Sequence, residues 1–292
     1  MTATTTDHRT YERVVGRAAG DAPGPTLIVC GGMHGNEPAG IVACRAILAR
    51  LAASGMPLRG VFVALAGNLQ GLAQNRRFLA HDLNRAWTQE YVDRLLSRGP
   101  DGDLPEDTEQ RAIIRHFEAE RGRARGPVVV VDLHTTSSAG PPFTIFSDTL
   151  DNRRVASRLG IPMILGLEEC IAGTLLDFAP KCGVLAAGVE GGDHEDPGSA
   201  TSLEAALWVT LVTLGIIDRV PDGAPGIERL RSAAGGLPTA LEVRYRHPVL
   251  PQDGFAMRPG YEGFQPIRRG ELLAAPRHGE IRALESCRIL MP

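Results

Sequence analysis

Three residues of this chain have side chains of the kinds that bind catalytic metal ions. His34 and Glu37 lie three residues apart in the sequence HGNE, directly after an apolar run and two glycines. His134 follows another apolar run, PVVVVDL, much later in the chain. Structural zinc usually has four protein ligands, whereas two histidines and one carboxylate leave a position open for water. The residues therefore predict a catalytic zinc site, although they also suit other divalent ions.

Two further carboxylates lie at the ends of apolar runs. Glu190 closes the run VLAAGVE and precedes two glycines. A carboxylate at the end of a buried strand is costly unless it is paired or faces a polar cleft. We interpret Glu190 as facing a cleft rather than as salt-bridged to an arginine. Asp132, two residues before His134, is compatible with orienting that imidazole and equally with a buried capping role.

A long polar stretch follows the apolar run VFVALAGN. Its sequence, QNRRFLAHDLNR at residues 74–85, contains three arginines, two asparagines and a His-Asp pair. The stretch is too polar and irregular for a core segment, and loops with this content often carry function. We therefore treat residues 74–85 as a candidate part of the site.

Buried strands joined by helices would bring these residues together. Continuous apolar runs typical of strands buried on both faces occupy residues 27–30, 61–68, 127–134 and 184–192. Residues 39–51 have apolar positions at helical spacing, and Pro38 suits a first helical turn. Ligands of open α/β sheets bind beyond the carboxyl ends of the strands. An α/β fold with parallel strands would therefore place the candidate residues at one edge.

The carboxyl-terminal part of the chain has a different texture. Residues 204–217 have the pattern of an apolar helix, and residues 221–238 are rich in proline and glycine. Short β-rich runs between glycine and proline turns then follow over residues 239–291. We predict a catalytic domain over residues 1–220, a linker over 221–238 and a small β domain over 239–292.

Composition limits the partners and the compartment. The 292 residues include 31 basic and 34 acidic side chains, and the net charge of −3 gives no case for nucleic acid or an anionic membrane. Five cysteines without a close C-x-x-C pair fit reduced thiols. The amino terminus lacks the apolar segment of a signal peptide, and no apolar stretch could span a bilayer. We expect a soluble, cytoplasmic protein. The sequence does not decide whether it forms a homo-oligomer.

The order of four motifs, HGNE, DLNR, DLHT and GVEGG, resembles that of the succinylglutamate desuccinylase and aspartoacylase family. These zinc-dependent deacylases are related in fold to the zinc carboxypeptidases. The resemblance covers residues 27–192, and the carboxyl-terminal β region in outline. It implies a zinc-carboxypeptidase-like α/β fold, with a mixed, mostly parallel sheet flanked by helices and a small carboxyl-terminal β domain that caps the cleft.

The resemblance also implies a metal-binding and catalytic set. His34, Glu37 and His134 would bind one zinc ion per chain, and Glu190 matches the family's catalytic glutamate. Zinc lowers the pKa of a bound water from about 16 towards about 7 and polarises a carbonyl. Glu190 would take the proton of that water and hand it to the leaving amine.

Three residues of the polar stretch match substrate-contacting positions of the family. Arg77 matches the arginine that polarises the scissile carbonyl, and Asn84 and Arg85 match the pair that binds the substrate carboxylate. A guanidinium stays charged and can form two parallel hydrogen bonds to a carboxylate. The implied substrate is a small N-acyl amino acid.

This chain departs from the family pattern in two places. Where aspartoacylase has a basic residue for the side-chain carboxylate of its substrate, this chain has Pro180 and Lys181, and Lys181 is a weak substitute. Specificity for acidic acyl amino acids is therefore not implied. The second departure is in the loop after Glu190, which contains His194, Glu195 and Asp196. These residues are compatible with a solvated turn or with a specificity element. Tyr261 is compatible with a packed surface position or with a reach into the cleft.

Two alternatives to a deacylase share parts of the same site. A zinc carboxypeptidase acting on short peptides would use the same metal ligands and arginines. A binding protein that kept the fold without turnover would not need Glu190. Other hydrolase and nucleotide-binding motifs, H-E-x-x-H, G-x-S-x-G and G-x-x-x-x-G-K-[ST], are absent from the sequence.

Overall fold

An eight-stranded mixed sheet forms the centre of the protein in a computed structural model that describes residues 11–249, 251–275 and 279–292. We predicted that the amino-terminal segment is not a signal peptide, and most of that segment lies outside the described residues. The strands of the sheet are β1 (Val14–Ala19), β2 (Ala22–Gly31), β3 (Arg59–Ala66), β4 (Val128–Thr136), β5 (Phe143–Ile145), β6 (Met163–Leu165), β7 (Leu185–Asp193) and β8 (Ala240–Glu242). Their order is β1-β3-β2-β4-β7-β5-β6-β8. Strands β3, β2, β4 and β7 are parallel, whereas β1 and β5 run antiparallel to their neighbours β3 and β7.

The continuous apolar runs form the central strands, as predicted, because both faces of the sheet are covered. Along β2, Leu27 and Val29 pack into one apolar cluster, and Ile28 and Cys30 pack into a second on the other face. This alternation follows from the two-residue period of a strand. The mixed, mostly parallel sheet confirms the predicted α/β fold.

Helices cover both faces of the sheet. They are α1 (Ala39–Ser54), α2 (Leu69–Gln74), α3 (Gln89–Ser97), α4 (Pro105–Arg123), α5 (Leu150–Ala156), α6 (Leu167–Cys170), α7 (Leu175–Phe178), α8 (Pro197–Thr213) and α9 (Ile227–Ala234). Apolar residues of α1 and α8 share the cluster of Leu27, and those of α3 and α4 share the cluster of Ile28. None of the helices in the described part of the chain is long and apolar enough to cross a membrane.

Helix α8 begins earlier and ends sooner than the predicted range of 204–217. Asp196 accepts a hydrogen bond from the backbone N–H of Gly198 at 2.8 Å and so caps the helix, and Pro197 occupies its first turn. The helix ends before Gly215, whose φ of 70° lies in the left-handed region. The predicted range therefore missed the polar first turn and included the turn after the helix.

The proline- and glycine-rich segment predicted as a linker contains a helix. Leu230 of α9 is fully buried in the cluster that α8 also lines. Directly after this segment, β8 joins the edge of the main sheet beside β6. The predicted short β strands follow as β9 (Pro266–Ile267), β10 (Leu272–Ala274), β11 (Ile281–Arg282) and β12 (Cys287–Arg288). They form two two-stranded sheets, β10-β11 and β12-β9, and the domain boundaries stay a prediction.

Candidate active site

The HGNE loop connects β2 to α1 and delivers two buried polar side chains. The chain turns after β2 at Gly32, whose φ of 70° favours glycine. The Nδ1 atom of His34 lies 2.8 Å from Oε1 of Glu37, and the backbone N–H of Glu37 donates to the carbonyl of His34 at 3.1 Å. Both side chains are buried, so the turn holds them in one orientation.

His134 approaches the same carboxylate from the adjacent strand β4. Its Nδ1 atom lies 3.0 Å from Oε2 of Glu37, and the backbone N–H of Thr135 donates to that oxygen at 3.2 Å. Strand β4 continues to Thr136, so His134 lies within the strand and not at its end as predicted. Ligand atoms of His34, Glu37 and His134 all lie within 4.8 Å of one another. The structure thus brings together the three residues predicted to bind metal.

Two carboxylates contact the outer nitrogen atoms of these imidazoles. Oδ1 of Asp82 lies 3.2 Å from Nε2 of His34, and Oδ2 of Asp132 lies 2.8 Å from Nε2 of His134. An N–H at Nε2 that donates to a carboxylate leaves Nδ1 as the lone-pair donor. In that tautomer both Nδ1 atoms face Glu37, which fits a divalent cation. Asp82 was not singled out from the sequence, although it lies in the HDLNR motif.

The charges around this cluster favour a cation. Burial alone would raise the pKa of Glu37, but the close contacts with His134 and His34 outweigh it and lower the pKa well below its usual value. Burial would also raise the pKa of Asp82, but the contacts with His34 and Arg77 outweigh burial and lower that pKa below its usual value. Both carboxylates are therefore ionised at neutral pH, and a bound cation would offset their charge.

Glu190 is buried opposite His134 on the neighbouring strand. Its position on β7 is in register with His134 on β4. Among the described residues, Oε2 of Glu190 has no hydrogen-bond partner. Burial, with smaller contributions from Glu37 and Asp132, raises the pKa of Glu190 to about 8. A carboxyl group with a pKa near neutrality suits both acceptance and donation of a proton.

The three residues predicted to contact substrate lie at the same cavity, with different partners. Arg77 donates through Nη2 to Asp82 at 2.9 Å, and its Nη1 lies 3.5 Å from Glu37. Nδ2 of Asn84 lies 3.2 Å from Nε2 of His134, and its Oδ1 accepts from the N–H of Leu175 at 2.9 Å. The side chain of Asn84 is therefore already engaged by the protein, and its substrate-binding role stays a prediction.

Arg85 differs from Arg77 in having no carboxylate partner in the described part of the chain. Its Nη1 donates to the carbonyl of Asn84 at 2.6 Å, and burial lowers the pKa of its guanidinium. The rest of the guanidinium is available for a ligand, which suits the predicted carboxylate contact.

A buried glutamate holds the loop that carries these arginines. Glu106, in the first turn of α4, is fully buried. Its carboxylate accepts from the backbone N–H groups of Leu79 at 2.7 Å, Ala80 at 3.1 Å and His81 at 3.3 Å, and from the amide of Asn68 at 3.1 Å. The sequence alone did not predict this contact, because nothing in the pattern of the helix identifies its partner.

All of the predicted site residues line one cavity of about 330 Å³: His34, Glu37, Arg77, Asn84, Arg85, His134 and Glu190. Glu168 and His194 also line it, and Nδ1 of His194 lies 2.6 Å from the hydroxyl of Thr135. Of the two departures from the family pattern, only the loop with His194 thus reaches the cavity; Lys181 is exposed and outside its lining.

Tyr261 is engaged within the carboxyl-terminal region. Its hydroxyl donates to Glu271 at 2.7 Å and lies 3.2 Å from the carbonyl of Leu272. The carboxyl-terminal region contributes Met291, and not Tyr261, to the cavity lining.

Sequence comparison identifies relatives of the whole central region. The family model for the succinylglutamate desuccinylase/aspartoacylase catalytic domain matches residues 23–210. A succinylglutamate desuccinylase of Burkholderia thailandensis is 28% identical over 179 residues, which are 56% of this chain and 48% of the relative. One from Photorhabdus laumondii is 30% identical over 115 residues, covering 39% of this chain and 34% of the relative. The chain thus spans about half the length, or less, of these curated relatives.

Solved structures have the same fold over almost the whole chain. The product-bound ectoine utilization protein EutE (DoeB) of Ruegeria pomeroyi has a TM-score of 0.63 at 19% identity, covering 92% of this chain and 80% of the other. A crystal structure of the succinylglutamate desuccinylase of Chromobacterium violaceum has a TM-score of 0.62 at 21% identity, covering 93% and 82%. At these identities the likeness establishes the fold.

Proposed function

This chain belongs to the succinylglutamate desuccinylase/aspartoacylase family, and from that premise we propose that it is a zinc-dependent amidohydrolase of small N-acyl amino acids. One observation carries the proposal. The buried cluster of His34, Glu37 and His134 shares its cavity with Glu190, a buried carboxyl group with an unpartnered oxygen atom. A metal site with a base beside it can activate water for attack on an amide carbonyl.

His34, Glu37 and His134 would hold the ion, and Asp82 and Asp132 would orient the two imidazoles. When bound, zinc lowers the pKa of water towards about 7 and polarises a carbonyl group. Glu190 accepts the proton of the attacking water at Oε2 and donates it to the nitrogen of the leaving amine. The raised pKa of Glu190 makes its carboxylate a stronger base than an ordinary one, which favours acceptance of the water proton, and a pKa near the operating pH still allows the proton to pass to the amine.

The two arginines have complementary tasks in this proposal. Arg77, which Asp82 and Glu37 hold, donates to the oxygen of the scissile carbonyl as negative charge develops there. Arg85 binds the α-carboxylate of the substrate, because it has hydrogen-bond donors to spare and no carboxylate partner in the described residues. The products are a carboxylic acid and a free amino acid.

The decisive experiment combines metal analysis with initial rates of amine release. Glu190→Gln keeps the shape of the side chain and removes the base, so we expect full zinc content and a loss of kcat of at least about a thousandfold. His134→Ala should lose zinc and activity together. Glu228→Gln, at an exposed position on α9, is the matched control and should keep both.

The substrate panel should contain N-acetyl, N-succinyl and longer N-acyl amino acids together with short peptides. Each compound is assayed with zinc-loaded and chelated protein. Zinc-dependent release from acyl amino acids supports the proposal. Turnover of peptides in preference to acyl amino acids would assign the protein as a carboxypeptidase, and a fully active Glu190→Gln would remove the proposed base.

A further inference from the structure

An apolar wall completes the cavity that holds the metal-binding cluster. Five apolar side chains contribute to its lining: Ile145, Leu167, Ile171, Leu176 and Met291. They come from β5, from α6 and the turn after it, from α7, and from the carboxyl terminus. A substrate that binds its carboxylate at Arg85 and its amide at the metal cluster therefore has apolar surface beside it.

A second, larger cavity of about 890 Å³ adjoins this wall, and we call it the annex. Leu167, Ile171 and Met291 line both cavities, so the two spaces meet at these side chains. Further into the annex the lining includes Phe264 and Ile267, which are both buried. Volumes in this range are typical of sites that enclose an organic ligand.

The charged residues of the annex have partners within the protein. Arg244 pairs with Glu242 and Glu285, both at 3.4 Å, and Arg282 pairs with Glu280 at 2.7 Å. Arg288 donates to the carbonyl of Phe264 at 2.7 Å, and the exposed Arg246 donates to the carbonyl of Cys170 at 3.0 Å. Arg244 and Arg282 are thus paired with carboxylates, whereas the exposed Arg246 and Arg288 are held by backbone carbonyls. Apolar side chains such as Phe264 and Ile267 line the buried part of the annex.

The junction between the two cavities disfavours a second carboxylate on the substrate. Glu168 lines the cavity next to Leu167, and within the described residues its Oε2 atom is buried without a hydrogen-bond partner. Burial raises the pKa of Glu168. The cations of the first cavity, Arg77 and Arg85, have tasks at the carbonyl and the α-carboxylate. A dicarboxylic acyl group would therefore meet an acidic side chain and an apolar wall.

We propose that the substrate carries an extended, uncharged apolar group, and that this group passes Leu167 and Ile171 into the annex. The inference rests on the proposed deacylase function and names the substrate class within it. The apolar group can be the acyl chain or the side chain of the amino acid, since both attach to the amide at the metal cluster. The two sources have the same chemistry and differ in which compounds the enzyme prefers.

Two series of compounds separate these sources. The acyl series runs from N-acetylglycine to N-decanoylglycine, and the side-chain series runs from N-acetylglycine through N-acetylleucine to N-acetylphenylalanine. N-succinylglutamate and N-acetylaspartate represent dicarboxylic substrates. Burial of apolar surface should raise kcat/KM by up to about fourfold per methylene group along one series. The series that rises identifies the source, whereas flat series or a preference for the dicarboxylic compounds would overturn the inference.

Variants at the junction test where the apolar group lies. Leu167→Trp and Ile171→Trp narrow the passage, so each should lower kcat/KM for the longest compound about tenfold or more. The loss for N-acetylglycine should be smaller, so the ratio of the two kcat/KM values measures the narrowing apart from any general effect on the cavity. Ile171 is only partly buried, so Ile171→Trp should fold and can be measured even if Leu167→Trp does not fold. Leu96→Trp, at a half-exposed position on α3, is the matched control.

Binding to the zinc-loaded Glu190→Gln protein separates this inference from the proposed function. Calorimetry with both series should give affinities that rise with the size of the apolar group along one of them, and Ile171→Trp in the same background should abolish that rise. Such binding supports the proposal that the annex holds the apolar group, even if no compound is hydrolysed. In that case only the deacylase proposal fails. Affinities that stay constant along both series would overturn the inference even if zinc-dependent hydrolysis is observed.

Discussion

The carboxylate of Asp132 lies 2.8 Å from Nε2 of His134, two residues further along strand β4. Residues two apart on a strand project from the same face, so the strand itself holds the pair together. Asp132 is fully buried, and a buried carboxylate is tolerated only with a partner. The pair fixes the orientation of the imidazole, with Nδ1 directed at Glu37.

The first prediction is that Asp132→Asn weakens metal binding without removing a ligand. An amide is a weaker acceptor than a carboxylate for the Nε2–H of His134, so zinc affinity should fall about 10–100-fold. Competition with a chromophoric chelator measures the dissociation constant. Asp218→Asn, an exposed residue paired with Arg59, is the control, and an unchanged dissociation constant for Asp132→Asn would contradict the orienting role.

The second prediction concerns Glu106 as a positioning residue for the loop of Arg77 and Arg85. Glu106→Gln replaces an acceptor of three backbone N–H groups by a side chain that can accept fewer, and should lower the free energy of unfolding by about 1.5–3 kcal/mol. The loop should then move, so kcat/KM should fall about tenfold while zinc content stays at the wild-type value. Retained zinc with lost activity distinguishes loop displacement from general damage.

Glu118→Gln, on the exposed part of the same helix, controls for the Glu106 variant. Both substitutions remove one negative charge from α4. Equal activity of the two variants would show that the loop does not depend on Glu106.

The third prediction is a pH dependence of stability that arises at Tyr91. The hydroxyl of Tyr91 donates to Asp107 at 2.6 Å, and burial together with this contact raises the pKa of Tyr91 to about 12. An unfolded tyrosine has a pKa of about 10. The contribution is therefore fully present below pH about 10, and it is lost as the pH rises towards about 12, because the unfolded state releases its proton first.

Tyr91→Phe isolates this effect because phenylalanine does not titrate. Chemical denaturation of both proteins between pH 7 and pH 12, titrated in small steps, measures the difference in free energy of unfolding. We expect a constant difference up to pH about 10 and a decreasing one above it. A difference that grows with pH would mean that Tyr91 ionises more readily in the folded protein.

The sequence predicted the parts of the site that local patterns determine. The buried strands were predicted from continuous apolar runs, and the positions of His34, Glu37 and His134 followed from where those runs end. Strand pairing then places the carboxyl ends of β2, β4 and β7 at one edge. The substrate-contacting roles of Arg77, Asn84 and Arg85 came from the resemblance, and they stay predictions.

The parts that local patterns missed depend on contacts between distant segments. Asp82 contacts His34 across 48 residues, and Glu106 contacts Leu79 across 27. Neither partner can be read from the spacing of apolar residues, because the contact depends on how a polar loop folds. Helix α9 was not predicted for a different reason. The glycines and prolines on either side of it indicated a linker, although apolar residues such as Leu230 bury the helix against the core.

The fourth prediction concerns Gly173, which packs against the backbone of Arg85. Gly173 has a φ of 76°, and a Cβ atom at this position would lie 2.4 Å from the carbonyl oxygen of Arg85. Its own carbonyl accepts from the N–H of Trp87 at 3.0 Å, so the turn has little room to move. Gly173→Ala should therefore displace Arg85 and raise KM about tenfold, with a smaller change in kcat.

Gly183→Ala separates this displacement from backbone strain. Gly183 has the same φ of 76°, and apart from its chain neighbours no heavy atom of the described residues lies within 4 Å of the place where its Cβ would be. Both variants therefore carry the strain of a left-handed alanine, about 1 kcal/mol, but only Gly173→Ala meets the backbone of Arg85. Steady-state kinetics on both proteins at matched zinc content should show the KM change in Gly173→Ala alone, because carboxylate binding depends on where Arg85 lies. Equal KM values would mean that Arg85 either tolerates the displacement or does not bind the substrate carboxylate, and Arg85→Lys decides between these by losing the bidentate contact directly.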